Sequence, residues 1–236
     1  MARILRTLTP LALALVAAVS LAACGGGDSS SAPAAPPAGE SQQGAAPDQF
    51  TELDGIPQDG AILGDPNAPV TLVEYGDMQC PFCAEWAEKA LPSVIDEYVA
   101  TGKVQLRFNG MAFIGPDSVT ALQAINAAGL QDRMWQMVEL LYLNQGGENA
   151  GWVTEELLRR LGQLVPGLDV DRMIADMGSD EVKQLVDASI ADAAQNGIES
   201  TPSFRAGKTD GTLEVVEIDS LEADGITPTL DELLAG

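Results

Sequence analysis

Residues 70–86 read VTLVEYGDMQCPFCAEW. Val70 to Tyr75 is apolar or β-branched apart from Glu74, follows the turn-rich Gly64–Pro69 segment and stops at Gly76-Asp77, which predicts a central strand. Cys80 and Cys83 then open a helical pattern through Trp86, Ala87, Ala90, Leu91, Val94, Ile95 and Tyr98, with Gly102 in the stop position. Pro92 inside that pattern predicts a kink or a break. Val104 to Phe108 alternates apolar and polar residues, the period of a second strand. A dithiol therefore sits where a strand hands over to a helix, within a β-α-β unit of an α/β fold.

Two cysteines three apart at a helix start bring their sulfurs within disulfide reach. Unsatisfied N–H groups and the positive end of the helix dipole favour a thiolate there. Cys80, ahead of the helix, reads as the exposed nucleophile, and Cys83, one turn in, as the buried resolving thiol. Pro81 suits the first turn, where a missing N–H costs little. A metal knuckle would need a second ligand pair that the chain lacks, and a structural disulfide closing so short a loop removes little chain entropy. Redox chemistry of the dithiol itself is the expectation, with no metal and no separate cofactor.

Composition excludes much else. The 236 residues hold 35 Asp and Glu against 12 Lys and Arg, a formal charge of -23, and no His. A Ser-His-Asp triad, a Cys-His dyad and imidazole metal sites are excluded. Phosphate neutralisation needs a basic face, so no nucleic-acid partner is expected. The acidity reads as a solvated surface that maintains solubility.

The amino terminus reads as targeting. Arg3 and Arg6 precede an apolar run from Leu8 to Ala22, shorter than the about 20 residues needed to span a bilayer. The run closes Leu21-Ala22-Ala23-Cys24-Gly25, which resembles a bacterial lipobox. That resemblance implies a signal over 1–23 and acylation of Cys24, against an ordinary cleaved signal as the alternative. Residues 25–49 are Gly, Ser, Ala and Pro with a few polar groups, so 24–49 is expected to be a lipidated cysteine and a disordered tether. The expected location is extracytoplasmic, anchored to the membrane through lipid.

Residues 115–198 read as an all-helical block. Ser118 is expected to cap a helix through Gln131, a second helix lies around Met134, Met137, Val138 and Leu141, Thr154 caps one through Leu164, Asp169 one through Met177, and Ser179 one closed by Gly197. Thr201 to Arg205, a turn at Gly207 to Gly211 and Leu213 to Ile218 predict a strand hairpin, and Thr229 to Leu234 a terminal helix. Met78, Trp86, Met111, Phe113 and Trp135 read as core or groove lining. The expected division is a discontinuous domain over 50–114 and 199–236, interrupted by a helical insertion over 115–198.

The Glu74-Tyr75-Gly76-Asp77-Met78-Gln79-Cys80-Pro81-Phe82-Cys83 core, the insertion with Asp117-Ser118 and Gln131, and Thr201-Pro202 together resemble the DsbA-type thiol-disulfide oxidoreductases, in particular their BdbD-like lipoprotein and membrane-anchored forms. The resemblance covers about residues 50–218. It implies a thioredoxin fold with a helical insertion and a cis Pro202 facing the dithiol, against an ordinary trans proline at a strand start. A cis bond there would leave the Thr201 backbone open to an extended client segment. It also implies that Glu74 is a buried acid assisting proton transfer at the resolving thiol; the alternative is a glutamate facing solvent on an edge strand. Phe82 departs from the strongly oxidising members, which carry His between the cysteines. A phenyl ring stabilises the Cys80 thiolate less, so the potential is expected between roughly -120 mV for DsbA and roughly -270 mV for thioredoxin.

Three functions follow. One is an oxidase of unfolded or thiol-containing exported proteins, reoxidised by a membrane redox partner of the DsbB or vitamin-K-epoxide-reductase type. The second is a reductase or isomerase of the same fold. The third is a non-enzymatic acidic binding lipoprotein.

Overall fold

The computed structural model describes Leu53 and residues 55–236; the expected signal, Cys24 and the whole of the expected tether lie outside the described residues. Strands β1 (Gln58–Asp59), β2 (Ile62–Leu63), β3 (Val70–Asp77), β4 (Val104–Met111), β5 (Ser203–Lys208) and β6 (Glu214–Val216) form one mixed sheet in the order β1-β2-β4-β3-β5-β6. The central strand β3 is buried at all eight positions, as its near-continuous apolar run demands of a strand covered on both faces. It pairs in parallel with β4, from Val70 opposite Val104 to Asp77 opposite Met111, and antiparallel with β5, from Val70 opposite Lys208 to Tyr75 opposite Ser203. That register brings the chain just before β5, Thr201-Pro202, alongside the end of β3. The two-residue strands β1 and β2 leave no periodic signal in the sequence.

Helix α1 (Pro81–Lys89) leaves directly from Cys80, with Pro81 in its first turn. Pro92 breaks the helix as expected: α1 ends, α2 (Leu91–Val94) begins with the proline in its own first turn, and a wider π turn spans Ile95–Val99. Buried Trp86 packs on Phe204 of β5, ring centroids 4.9 Å apart, fixing α1 to the sheet.

Between β4 and β5 the chain forms α3 (Pro116–Gly129), α4 (Met134–Leu143), α5 (Glu155–Gly162), α6 (Val170–Asp176) and α7 (Asp180–Gln195), and α8 (Thr227–Ala235) closes the chain. The side chains of Thr154, Asp169 and Ser179 each accept a hydrogen bond from the N–H three residues on, capping α5, α6 and α7. Ser118 caps nothing. Its hydroxyl is engaged by Asp77 of β3, and helix α3 starts three residues earlier than a Ser118 cap would place it, at Pro116, and ends at Gly129. Helix α5 also stops two residues short of Leu164, and β3 runs through Gly76-Asp77 rather than stopping before them.

Candidate active site

The loop from β3 to α1 is held by buried side chains. The Asp77 carboxylate accepts from Gln79 N at 2.9 Å, Ser118 Oγ at 2.6 Å and Ile114 N at 3.3 Å. Gln79 Nε2 donates to Ser118 Oγ at 2.8 Å, and Gln79 Oε1 accepts from Asn149 N at 2.6 Å. Gln145 Nε2 donates to the carbonyls of Met78 at 2.8 Å and Cys80 at 3.1 Å. The helical block thus grips the dithiol loop from both sides, and buried polar groups satisfied this fully make a rigid support.

Cys80 is the N-cap of α1 and Cys83 lies in its first turn; both are thiols. Cys80 is less open than the sequence suggests, with 5% of its surface accessible against none for Cys83. The Cys80 thiol donates to the Thr201 carbonyl at 3.2 Å. Its pKa is lowered to about 6, chiefly because Cys83 donates to the Cys80 thiolate; burial opposes this, and the Thr201 side chain and the Cys83 and Phe82 amides add to the lowering. Burial, the hydrogen bond to Cys80 and the nearby Cys80 and Glu74 charges push Cys83 well above the ordinary thiol range. One sulfur is therefore a thiolate at neutral pH while the other holds its proton.

Glu74 points into the protein from the central strand. Its carboxyl is 1% exposed, neither oxygen has a hydrogen-bond partner, and burial, aided by the Cys80 charge, raises its pKa to about 8. At neutral pH it carries a proton. Tyr142, at the end of α4, meets this acid across Gly76: a Cβ on Gly76 would lie 2.7 Å from Tyr142 Oη and 3.1 Å from Glu74 Oε1. Glycine is required at that position for space, not for an unusual backbone angle.

The Thr201-Pro202 peptide is cis. In the thiol form Cys80 donates to the Thr201 carbonyl, a bond that the thiolate cannot make. Phe82 is 58% exposed and Phe113 51% exposed, so Phe113 is not part of the core, whereas Met78, Trp86, Met111 and Trp135 are buried. The structure thus brings Glu74, Cys80, Pro81, Phe82, Cys83 and Thr201-Pro202 to one end of the sheet. Sequence reading missed Gln79, Gln145, Asn149 and Tyr142. Nothing local marks them, since each acts through a contact far away in sequence. Among the described residues no helix is long and apolar enough to cross a membrane.

A family model described as thioredoxin matches residues 57–218. A probable disulfide bond formation protein D of Bacillus anthracis is 35% identical over 163 residues, covering 68% of this chain and 74% of its own. The crystal structure of oxidised BdbD from Bacillus subtilis superposes with a TM-score of 0.65 at 25% identity, over 75% of this chain and 94% of that one. Chlamydia trachomatis DsbA shares the fold, with a TM-score of 0.62 at 20% identity over 73% and 90% of the two chains. The chain belongs to this thioredoxin family and is a thiol-disulfide oxidoreductase with a helical insertion.

Proposed function

We propose that this thiol-disulfide oxidoreductase works as an oxidase, passing a Cys80-Cys83 disulfide to thiol-containing client proteins without a separate cofactor. The observation that carries the reading is the split between the sulfurs. Cys80 is held at the helix terminus with a pKa of about 6, while Cys83 behind it is pushed far up. A stabilised Cys80 thiolate is a good leaving group and favours the reduced enzyme, which makes the disulfide form an oxidant.

In the forward step a client thiolate attacks Cys80, the Cys80-Cys83 bond breaks, and its electron pair goes to Cys83. A second client thiolate then attacks the client sulfur of the mixed disulfide and releases Cys80 as a thiolate. The client loses two electrons and the enzyme gains them. Glu74, protonated at neutral pH and buried beside the pair, supplies the proton that Cys83 takes up and recovers it when the disulfide is remade. Thr201-Pro202 lines the path to Cys80, where an extended client segment would lie, and exposed Phe82 and Phe113 offer apolar contacts to an unfolded chain.

The lipobox-like segment and the tether support an exported protein held to a membrane through Cys24, recycled there by a quinone-linked membrane partner. Cys24→Ser should release the protein from the membrane fraction or block its processing. For the chemistry, Cys83→Ser should accumulate clients as mixed disulfides on Cys80, and Cys80→Ser should lose all exchange. Thiol trapping in intact cells should find the wild-type pair oxidised at steady state. A predominantly reduced pair would assign the protein to reduction or isomerisation, and a Cys80→Ser variant with full activity would remove the reading.

A further inference from the structure

Tyr142 is used by nothing described so far. It is a buried phenol on α4, its hydroxyl has no hydrogen-bond partner of ordinary geometry, and the titratable groups that face it are Cys83, Glu74 and Cys80. Gly76 leaves the space in which its hydroxyl and the Glu74 carboxyl approach the same α-carbon, and Phe108 closes the third side. A buried hydroxyl without a well-formed hydrogen bond is costly, and phenylalanine would fill nearly the same volume without that cost. A group kept at this expense between an acid and a thiol is placed for proton transfer.

We infer that Tyr142 is a further catalytic residue, relaying the proton between the Glu74 carboxyl and the Cys83 sulfur. The inference rests on the proposed roles of Glu74 and Cys83. When the disulfide breaks, the Cys83 thiolate takes the proton of Tyr142 Oη, and the Glu74 carboxyl proton replaces it. Tyr142 ends neutral, Cys83 is a thiol and Glu74 a carboxylate. The proton moves downhill, since Cys83 holds it more tightly than Glu74 does. Reoxidation runs the relay backwards and restores the Glu74 proton. Tyr142 already interacts with the Cys83 sulfur in the dithiol, and catalytic hydrogen bonds often tighten along the reaction.

The test is Tyr142→Phe in the full chain, with single-turnover oxidation of a dithiol peptide followed from pH 5 to 9. The variant should be slowed about tenfold or more at pH 7, with a changed pH profile and a melting temperature equal to or above that of the wild type. Tyr142→Phe combined with Glu74→Gln should be no slower than Glu74→Gln alone, because both interrupt one route. Should the phenylalanine variant fail to fold, 3-fluorotyrosine at position 142 keeps the packing and makes the phenol more acidic, so its pH profile should shift. An unchanged rate and profile in either protein, or additive losses in the double variant, would overturn the relay. Glu74→Gln at full rate would instead remove the proposed role of Glu74, and the two failures are distinguishable.

Discussion

At the entry to the central strand, Thr71 Oγ1 donates to Thr209 Oγ1 at 3.0 Å, accepts from Gln105 Nε2 at 2.9 Å, and Thr209 passes the chain on to the Ala68 carbonyl at 2.5 Å. Three residues later on the same strand, both Glu74 oxygens are buried with no hydrogen-bond partner, and the Tyr142 hydroxyl across from them has none of ordinary geometry. The strand is equally buried at both places, so exposure does not explain the difference. The entry end is a closed network whose members hold three strand ends together. At the exit end, the groups that position the loop, Asp77, Gln79 and Gln145, are engaged, while those beside the sulfurs have no such hydrogen bonds, as the proposed proton transfer would need. Along this strand, polar satisfaction separates the end that holds the backbone from the end proposed to react.

Glu74→Gln should break that contrast with the largest effect. A buried carboxyl whose folded pKa is raised contributes its full stability below the unfolded value of 4.5 and loses it as the pH rises through about 8. Removing it should flatten that loss, so the variant gains on the wild type between pH 4.5 and 8 by about 5 kcal/mol. Denaturant titrations of the reduced proteins at several pH values measure this. Client oxidation at pH 7 should fall by about a hundredfold in the same variant. A constant stability difference across the pH range would mean that Glu74 ionises normally.

Thr71→Val tests the other end, with a smaller effect of opposite sign. Valine keeps the shape but removes the hydrogen bonds that Thr71 Oγ1 makes with Gln105 Nε2 and Thr209 Oγ1, leaving Gln105 only its long 3.4 Å contact to Thr209, at a cost of about 1–2 kcal/mol. Exchange rates should remain at the wild-type value, since the change lies at the far end of the strand from the sulfurs. Slower client oxidation by a folded Thr71→Val protein would show that the two ends are coupled.

How much of this was legible depended on whether the cause was local. The dithiol, its helix and Pro92 were readable because strand period, helix period and proline chemistry act within a few residues. The caps at Thr154, Asp169 and Ser179 were readable for the same reason. Ser118 had the same chemistry, yet its hydroxyl is taken by Asp77 from another element, so the cap was misread. Glu74 stood out as an acid in an apolar strand. Tyr142 did not, because an aromatic at the end of an apolar helix looks like core until α4 is laid against Gly76. The strand-ending reading of Gly76 failed likewise: its missing side chain serves a tertiary approach rather than a turn.

Gln145→Met offers the smallest effect and the sharpest division between holding and reacting. The side chain, two residues beyond α4, donates to the Met78 and Cys80 carbonyls, so it fixes the loop through its backbone. Losing two hydrogen bonds at a partly buried site should lower stability by about 1 kcal/mol. A looser loop would also hold the Phe82 and Cys83 amides less firmly on the Cys80 sulfur, so its pKa should rise from about 6 by a few tenths. Alkylation of Cys80 at pH 6 should then slow by about twofold or less, read by mass spectrometry of the labelled peptide, with Cys83 still labelled later. A lower melting temperature with an unmoved alkylation midpoint would limit Gln145 to the fold, and would leave the thiolate dependent only on Cys83, Thr201 and the first turn of α1.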